Sequence, residues 1–71
     1  MSVDYDFTKL GFNLRKLRLS RNKSQQEICF EIGISQRTYQ RLETNELDDV
    51  KLSTIIKILK YFDTDFNELF K

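Results

Sequence analysis

Apolar residues recur along the chain at spacings of three and four, and no strict alternation of apolar and polar positions runs more than a few residues. That period belongs to helices. Leu10, Leu14 and Leu17 form a first stripe, which Phe7 extends, and Asn22 ends it because asparagine tolerates left-handed backbone. Ser24-Gln25-Gln26-Glu27 has the form of a capping box: the serine oxygen accepts from the amide of Glu27, whose carboxylate reaches back to Ser24. The helix it opens turns Ile28, Cys29 and Ile32 inward and stops at Gly33. Ser35 caps a third helix with Tyr39 and Leu42 inward and Gln36, Arg37, Gln40 and Arg41 outward, and Asn45 again suits a left-handed end. After a polar loop, 46–49, a fourth helix is predicted, capped by Asp49 or a neighbour, with Leu52, Ile55, Ile56, Leu59 and Phe62 as its inner stripe. Asp63-Thr64 breaks it. Asp65 and Glu68 form a box-like pair that opens a short fifth helix carrying Phe66, Leu69 and Phe70. The pattern predicts an all-α fold, a compact orthogonal bundle of five helices in one domain spanning residues 1–71.

Composition agrees with a single globular unit. Hydrophobic residues make up 39% and charged residues 32% of the 71 residues, too short a chain to bury two cores. No apolar run reaches the length of a membrane span, and the acidic start Met-Ser-Val-Asp-Tyr-Asp lacks the apolar stretch of a signal peptide. The expected compartment is the cytoplasm. One cysteine and no histidine argue against an internal disulfide, the usual metal sites and histidine-based catalysis. No nucleophile and base are paired by spacing, so neither an enzyme nor a cofactor is expected. Net charge is only +1, but its distribution is uneven: Lys9 to Arg41 holds eight Lys/Arg against two acids, and Leu42 to Lys71 four lysines against seven acids. Such asymmetry points to a localised anion-binding face, although charges that merely solubilise helices would look the same.

The spacing from Gln25 to Glu43 carries the functional signal. A helix of about two turns ends at Gly33, Ile34 follows, and Ser35 caps the next helix, so the two cross steeply with Cys29 as the small residue at their approach. The second helix is left with a polar outer surface of Gln and Arg, whose paired hydrogen-bonding groups match adenine and guanine edges in the major groove. A merely solvated face is the competing reading.

These residues resemble the Cro/repressor-type helix-turn-helix regulators, the xenobiotic-response-element family with the lambda-repressor-like fold. The likeness rests on Leu10-Gly11, Leu14-Arg15-Lys16-Leu17-Arg18, Ser24-Gln25-Gln26-Glu27-Ile28-Cys29, Ile32-Gly33-Ile34-Ser35, Thr38-Tyr39, Arg41-Leu42-Glu43 and Phe66-Asn67-Glu68-Leu69-Phe70. It implies a transcriptional regulator that binds a two-fold symmetric double-stranded DNA operator as a homodimer. Gln36, Arg37 and Arg41 would then read bases with Gln40 nearby, and Gln25, beside Ser24, would contact a phosphate. Arg18 and Glu43 match a pair that ties the first helix to the end of the third.

Several residues depart from the family pattern. Cys29 stands where alanine is commonest, and Phe30 where a charge is usual. Loop 46–49 is acidic and one residue longer than usual, which shifts phosphate contacts toward Lys9, Arg15, Arg21 and Lys23. Cys29 is expected in the core, as is Tyr39 with its hydroxyl near the surface. Phe30 is expected to cover the first helix or the segment holding Tyr5 and Phe7, with a contact patch as the alternative. The C-terminal aromatics exceed the needs of so small a core, and Phe66, Leu69 and Phe70 are expected at a dimer seam. The alternative function is an antitoxin or other interaction module that chiefly binds a partner protein.

Overall fold

Backbone chemistry at the helix ends sets the architecture. The computed structural model describes residues 8–48 and 50–71, and its helices are α1 (Thr8–Ser20), α2 (Gln25–Ile32), α3 (Gln36–Glu43), α4 (Leu52–Phe62) and α5 (Phe66–Leu69), with no strand among the described residues. The expected extension by Phe7 and the cap at Asp49 lie outside the described residues. Before α2, the Glu27 amide donates to Ser24 Oγ at 3.1 Å and the Ser24 amide donates to Glu27 Oε1 at 3.0 Å, so both limbs of the box are made. Left-handed residues end the segments: Asn22 (φ 55°), Gly33 (φ 88°), Asn45 (φ 64°) and Asp63 (φ 52°). Of the box before α5 only one limb forms. The Glu68 amide donates to Asp65 at 2.9 Å, while the Glu68 carboxylate pairs with Lys71 at 2.7 Å. The N-cap of α4 is Lys51, which makes no side-chain capping bond.

Every helix sends side chains to one core: Leu10 and Leu14 from α1, Ile28 and Cys29 from α2, Tyr39 and Leu42 from α3, Ile58 and Phe62 from α4, and Leu69 from α5. Helix α1 packs on α3 and α5, and α2 packs on α3 and α4. The predicted stripe of α4 needs correction. Ile58 is buried, whereas Leu52 is 71% and Ile56 42% exposed. Helix α4 is apolar around so much of its circumference that two adjacent stripes satisfy the helical period. Packing against the rest of the bundle selects the stripe Ile55-Ile58-Leu59-Phe62 and leaves Leu52 and Ile56 outside.

Two polar side chains lock the bundle where helices meet. Asn13, buried on α1, donates from Nδ2 to the Leu69 carbonyl at 2.7 Å and so holds α5. Asn45 accepts from the Gly11 amide at 2.8 Å and donates to the Thr8 carbonyl at 3.2 Å, which clamps the start of α1 to the end of α3. Gly11 makes that approach possible, because a Cβ there would run into the Glu43 carbonyl.

Candidate nucleic-acid interface

The junction of α2 and α3 is built from the backbone outward. The amides of Gly33 and Ile34 both donate to the Cys29 carbonyl, at 2.9 and 3.1 Å, closing α2 through a left-handed glycine. Ile34 packs against the core, and Ser35 Oγ accepts from the Thr38 amide at 3.1 Å to start α3 at once. Tyr39 and Leu42, both fully buried, anchor the inner face of α3. Its outer face is left to Gln36, Arg37 and Gln40, all exposed, and to the half-buried Arg41. Arg37, Gln40 and Arg41 line one open cleft of about 240 Å³ with Thr44 and Glu46. Among the described residues no hydrogen bond or ion pair engages the side chains of Gln36, Arg37 or Gln40. Glu46 lies outside the base-reading pattern of the sequence. Its amide donates to the Arg41 carbonyl at 2.7 Å, which places an acidic residue at the C-terminal end of this face.

Behind the outer face lies a polar network. Arg18 Nε donates to Glu43 Oε2 at 2.7 Å and its Nη2 to Oε1 at 3.2 Å, a two-pronged pair with side chains 11% and 5% exposed. Arg18 Nη1 also donates to the Lys23 carbonyl at 2.9 Å, at the entry to α2. Gln25 Nε2 donates to Glu43 Oε1 at 3.0 Å, so the amide expected to meet a phosphate is held by the end of α3. Burial opposes ionisation of Glu43, but the hydrogen bonds from Arg18 and Gln25 prevail and hold its carboxyl below the usual range. The Tyr39 hydroxyl is buried rather than near the surface, and donates to the Leu14 carbonyl at 3.4 Å. Burial first, and the Glu43 carboxylate second, push its pKa up. Burial likewise raises the Cys29 thiol to about 11; the cysteine is a core residue.

Other basic residues separate from this face in their contacts. Lys23 Nζ pairs with Glu31 at 2.9 Å, Tyr61 donates to the same carboxylate at 2.7 Å, and the Arg21 guanidinium lies 5.0 Å from the Tyr61 ring centroid. Arg21 and Lys23 are thus drawn into a cluster with α2 and α4. Lys9 and Arg15 are exposed on α1. The aromatic set also divides. Leu69 is 1% exposed and belongs to the core of its own chain, so it is not free for a second copy. Phe66 is 38% exposed and packs on the half-buried Phe70 with ring centroids 4.6 Å apart. Phe30 does not cover α1: it is 87% exposed, because its position on α2 points away from the stripe of Ile28, Cys29 and Ile32, and the segment holding Tyr5 and Phe7 lies outside the described residues. Among the described residues no cluster of His, Cys, Asp or Glu is placed to hold a metal ion, and no helix is long and apolar enough to cross a membrane.

Comparison with known proteins agrees with this architecture. The helix-turn-helix family model HTH_3 matches residues 14–69. Among solved structures, the restriction-modification controller protein C.AhdI from Aeromonas hydrophila is 31% identical, with a TM-score of 0.75 over 92% of this chain and 97% of that one. The structure of a HipA-HipB-O2-O3 complex contains a chain 29% identical, with a TM-score of 0.69 over 93% of this chain and 92% of that one. A HipB-O1-O2 complex gives the same identity and TM-score over 93% and 94%. No curated protein sequence matches the chain. With its five-helix bundle and family match, the chain belongs to the helix-turn-helix family of Cro/C1-type DNA-binding regulators.

Proposed function

We propose that the protein is a sequence-specific transcriptional regulator that binds a two-fold symmetric double-stranded DNA operator as a homodimer. The outer face of α3 carries this reading: Gln36, Arg37, Gln40 and Arg41 share one polar surface while Tyr39 and Leu42 anchor the opposite side. Arg37 and Arg41, one turn apart, each grip the two acceptors of a guanine at different base pairs, and the glutamines address adenine. Gln25 opens α2 beside Ser24, where side-chain and backbone N–H groups suit a phosphate oxygen. Lys9 and Arg15 add charge from α1. Arg21 and Lys23 contribute less, since each must leave Tyr61 or Glu31 first. A second copy packs against apolar surface on α4 and α5, where Leu52, Ile56 and Phe66 are exposed. The paired α3 helices then enter successive major grooves roughly 34 Å apart.

Selection of bound sequences from a random DNA pool tests specificity and symmetry together. With the selected operator, Arg37→Ala or Arg41→Ala costs about 1–3 kcal/mol and relaxes preference at particular base pairs. Arginine variants that keep the wild-type ranking of single-base operator variants would refute base reading by this face.

One observation favours a second reading, in which binding a partner protein is the main role: Phe30 is a large aromatic 87% exposed on α2. One neighbour was solved as a HipA-HipB complex. Salt separates the readings, because counterion release makes DNA binding fall steeply as salt rises, whereas apolar docking around Phe30 does not.

A further inference from the structure

The bond between Gln25 and Glu43 joins the two parts of the interface that the proposed function treats separately. Glu43 closes α3, the helix proposed to read bases, and Gln25 opens α2, the helix proposed to hold the backbone. Both carboxylate oxygens of Glu43 are occupied: Oε2 by Arg18 Nε at 2.7 Å, and Oε1 by Arg18 Nη2 at 3.2 Å and Gln25 Nε2 at 3.0 Å.

We infer that Glu43 is a positioning residue for DNA binding, which fixes the Gln25 side-chain amide with one N–H available to a phosphate. The inference rests on the proposed contact between Gln25 and the DNA backbone. An ionised carboxylate only accepts hydrogen bonds, so the amide must turn its nitrogen toward Glu43, and the flipped arrangement would set two acceptors against each other. One N–H goes to Glu43 and the second remains for an outside acceptor. A phosphate oxygen is also acceptor-only, so a freely flipping amide would present the wrong atom to it part of the time. Holding the rotamer before DNA arrives also removes an ordering cost that binding would otherwise bear. A lone carboxylate this close to a phosphate would repel it, but the two-pronged Arg18 neutralises Glu43 at the same place. Helix geometry leaves the backbone amides of Gln25 and Gln26 without intrahelical acceptors, and these donors add to the oriented side chain. Arg18 also holds the Lys23 carbonyl at 2.9 Å, so one guanidinium sets both the entry of α2 and the carboxylate that aims Gln25.

The test is a double-mutant cycle on operator affinity, using folded protein at a single salt concentration. Gln25→Met, close in shape but without the donor, is expected to weaken binding about fivefold, the worth of one hydrogen bond. Glu43→Gln, which permits either amide orientation, is expected to weaken binding when Gln25 is present and to have no effect in the Gln25→Met background. An equal loss in both backgrounds would overturn the inference, because Glu43 would then act on the fold rather than through Gln25. Arg37→Ala is measured alongside. Loss with Arg37→Ala but none with Gln25→Met overturns the positioning role alone, whereas no loss with Arg37→Ala overturns the proposed reading face itself. If Glu43→Gln does not fold, the wild-type protein decides by NMR of the Gln25 side-chain amide. Two well-separated amide protons, one protected from exchange in free protein and the other shifting when operator is added, support the assignment. A pair at random-coil positions in the free protein overturns it.

Discussion

Gly11→Ala sets two physical effects in opposition. Gly11 lies inside α1, where replacement of glycine by alanine ordinarily gains about 1 kcal/mol through helix propensity. Here the added Cβ would run into the Glu43 carbonyl and lie 3.1 Å from Asn45 Oδ1. The first obstacle is backbone, so relief requires α1 and the end of α3 to move apart. Overpacking of this kind costs about 1–3 kcal/mol, and the bond from the Gly11 amide to Asn45, 2.8 Å long, is lost or stretched for about 1 kcal/mol more. Against the propensity gain, the balance is a destabilisation of about 1–3 kcal/mol. Each kcal/mol lowers the melting midpoint of a domain this size by about 4–8 °C. Thermal unfolding followed by circular dichroism reads the effect directly. Gly33→Ala is the control: its Cβ meets nothing within 4 Å, but the residue has φ 88°, so its cost is the left-handed conformation alone, about 1–2 kcal/mol. A Gly11→Ala protein that melts at or above the wild-type midpoint would refute the close approach of α1 to the end of α3.

Four further outcomes follow from the packing and charges of the bundle. Glu43→Ala leaves Arg18 buried without its partner and is expected to cost about 3–5 kcal/mol near neutral pH, measured by denaturant titration. Because the folded protein holds the Glu43 carboxyl below its ordinary 4.5, the stabilisation from this pair is complete above that value and is lost as pH falls beneath it; Glu43→Gln should flatten the acid limb of a stability profile, and an unchanged limb would show that Glu43 does not drive it. Ile56→Lys, at an exposed position, is expected to leave the melting midpoint nearly unchanged while turning dimer into monomer; wild-type protein that sediments as a monomer at high micromolar concentration would rule out the dimer. With burial raising the Cys29 thiol to about 11, a thiol reagent at mildly alkaline pH should modify the native protein only as fast as it unfolds, and rapid labelling would place Cys29 at the surface.

Signals local to the chain were legible before any fold was known. The reciprocal capping of Ser24 and Glu27, the left-handed ends at Asn22, Gly33 and Asn45, and the inward Tyr39 and Leu42 depend on residues within one or two turns of each other. Those same local rules leave Gln36, Arg37, Gln40 and Arg41 on the opposite side of α3, so the candidate reading face follows from spacing. Contacts between distant parts of the chain had no such signature. Helix α4 offers two apolar stripes of similar quality, and only docking against the bundle placed Ile58 inside and Ile56 outside. Phe66, Leu69 and Phe70 are alike in hydropathy, yet Leu69 alone is drawn fully into the core, where the carbonyl of the same residue receives the Asn13 amide. Arg21 and Lys23 read as free cations, but Glu31 and Tyr61 engage them across helices separate in sequence. The need for glycine at position 11 comes from Glu43 and Asn45 packing beside it, and Gln25 gains its orientation only where Glu43 comes within 3.0 Å. Hydrophobic period and capping act over a few residues and are written in order along the chain, whereas these pairings depend on which surfaces meet when the helices pack.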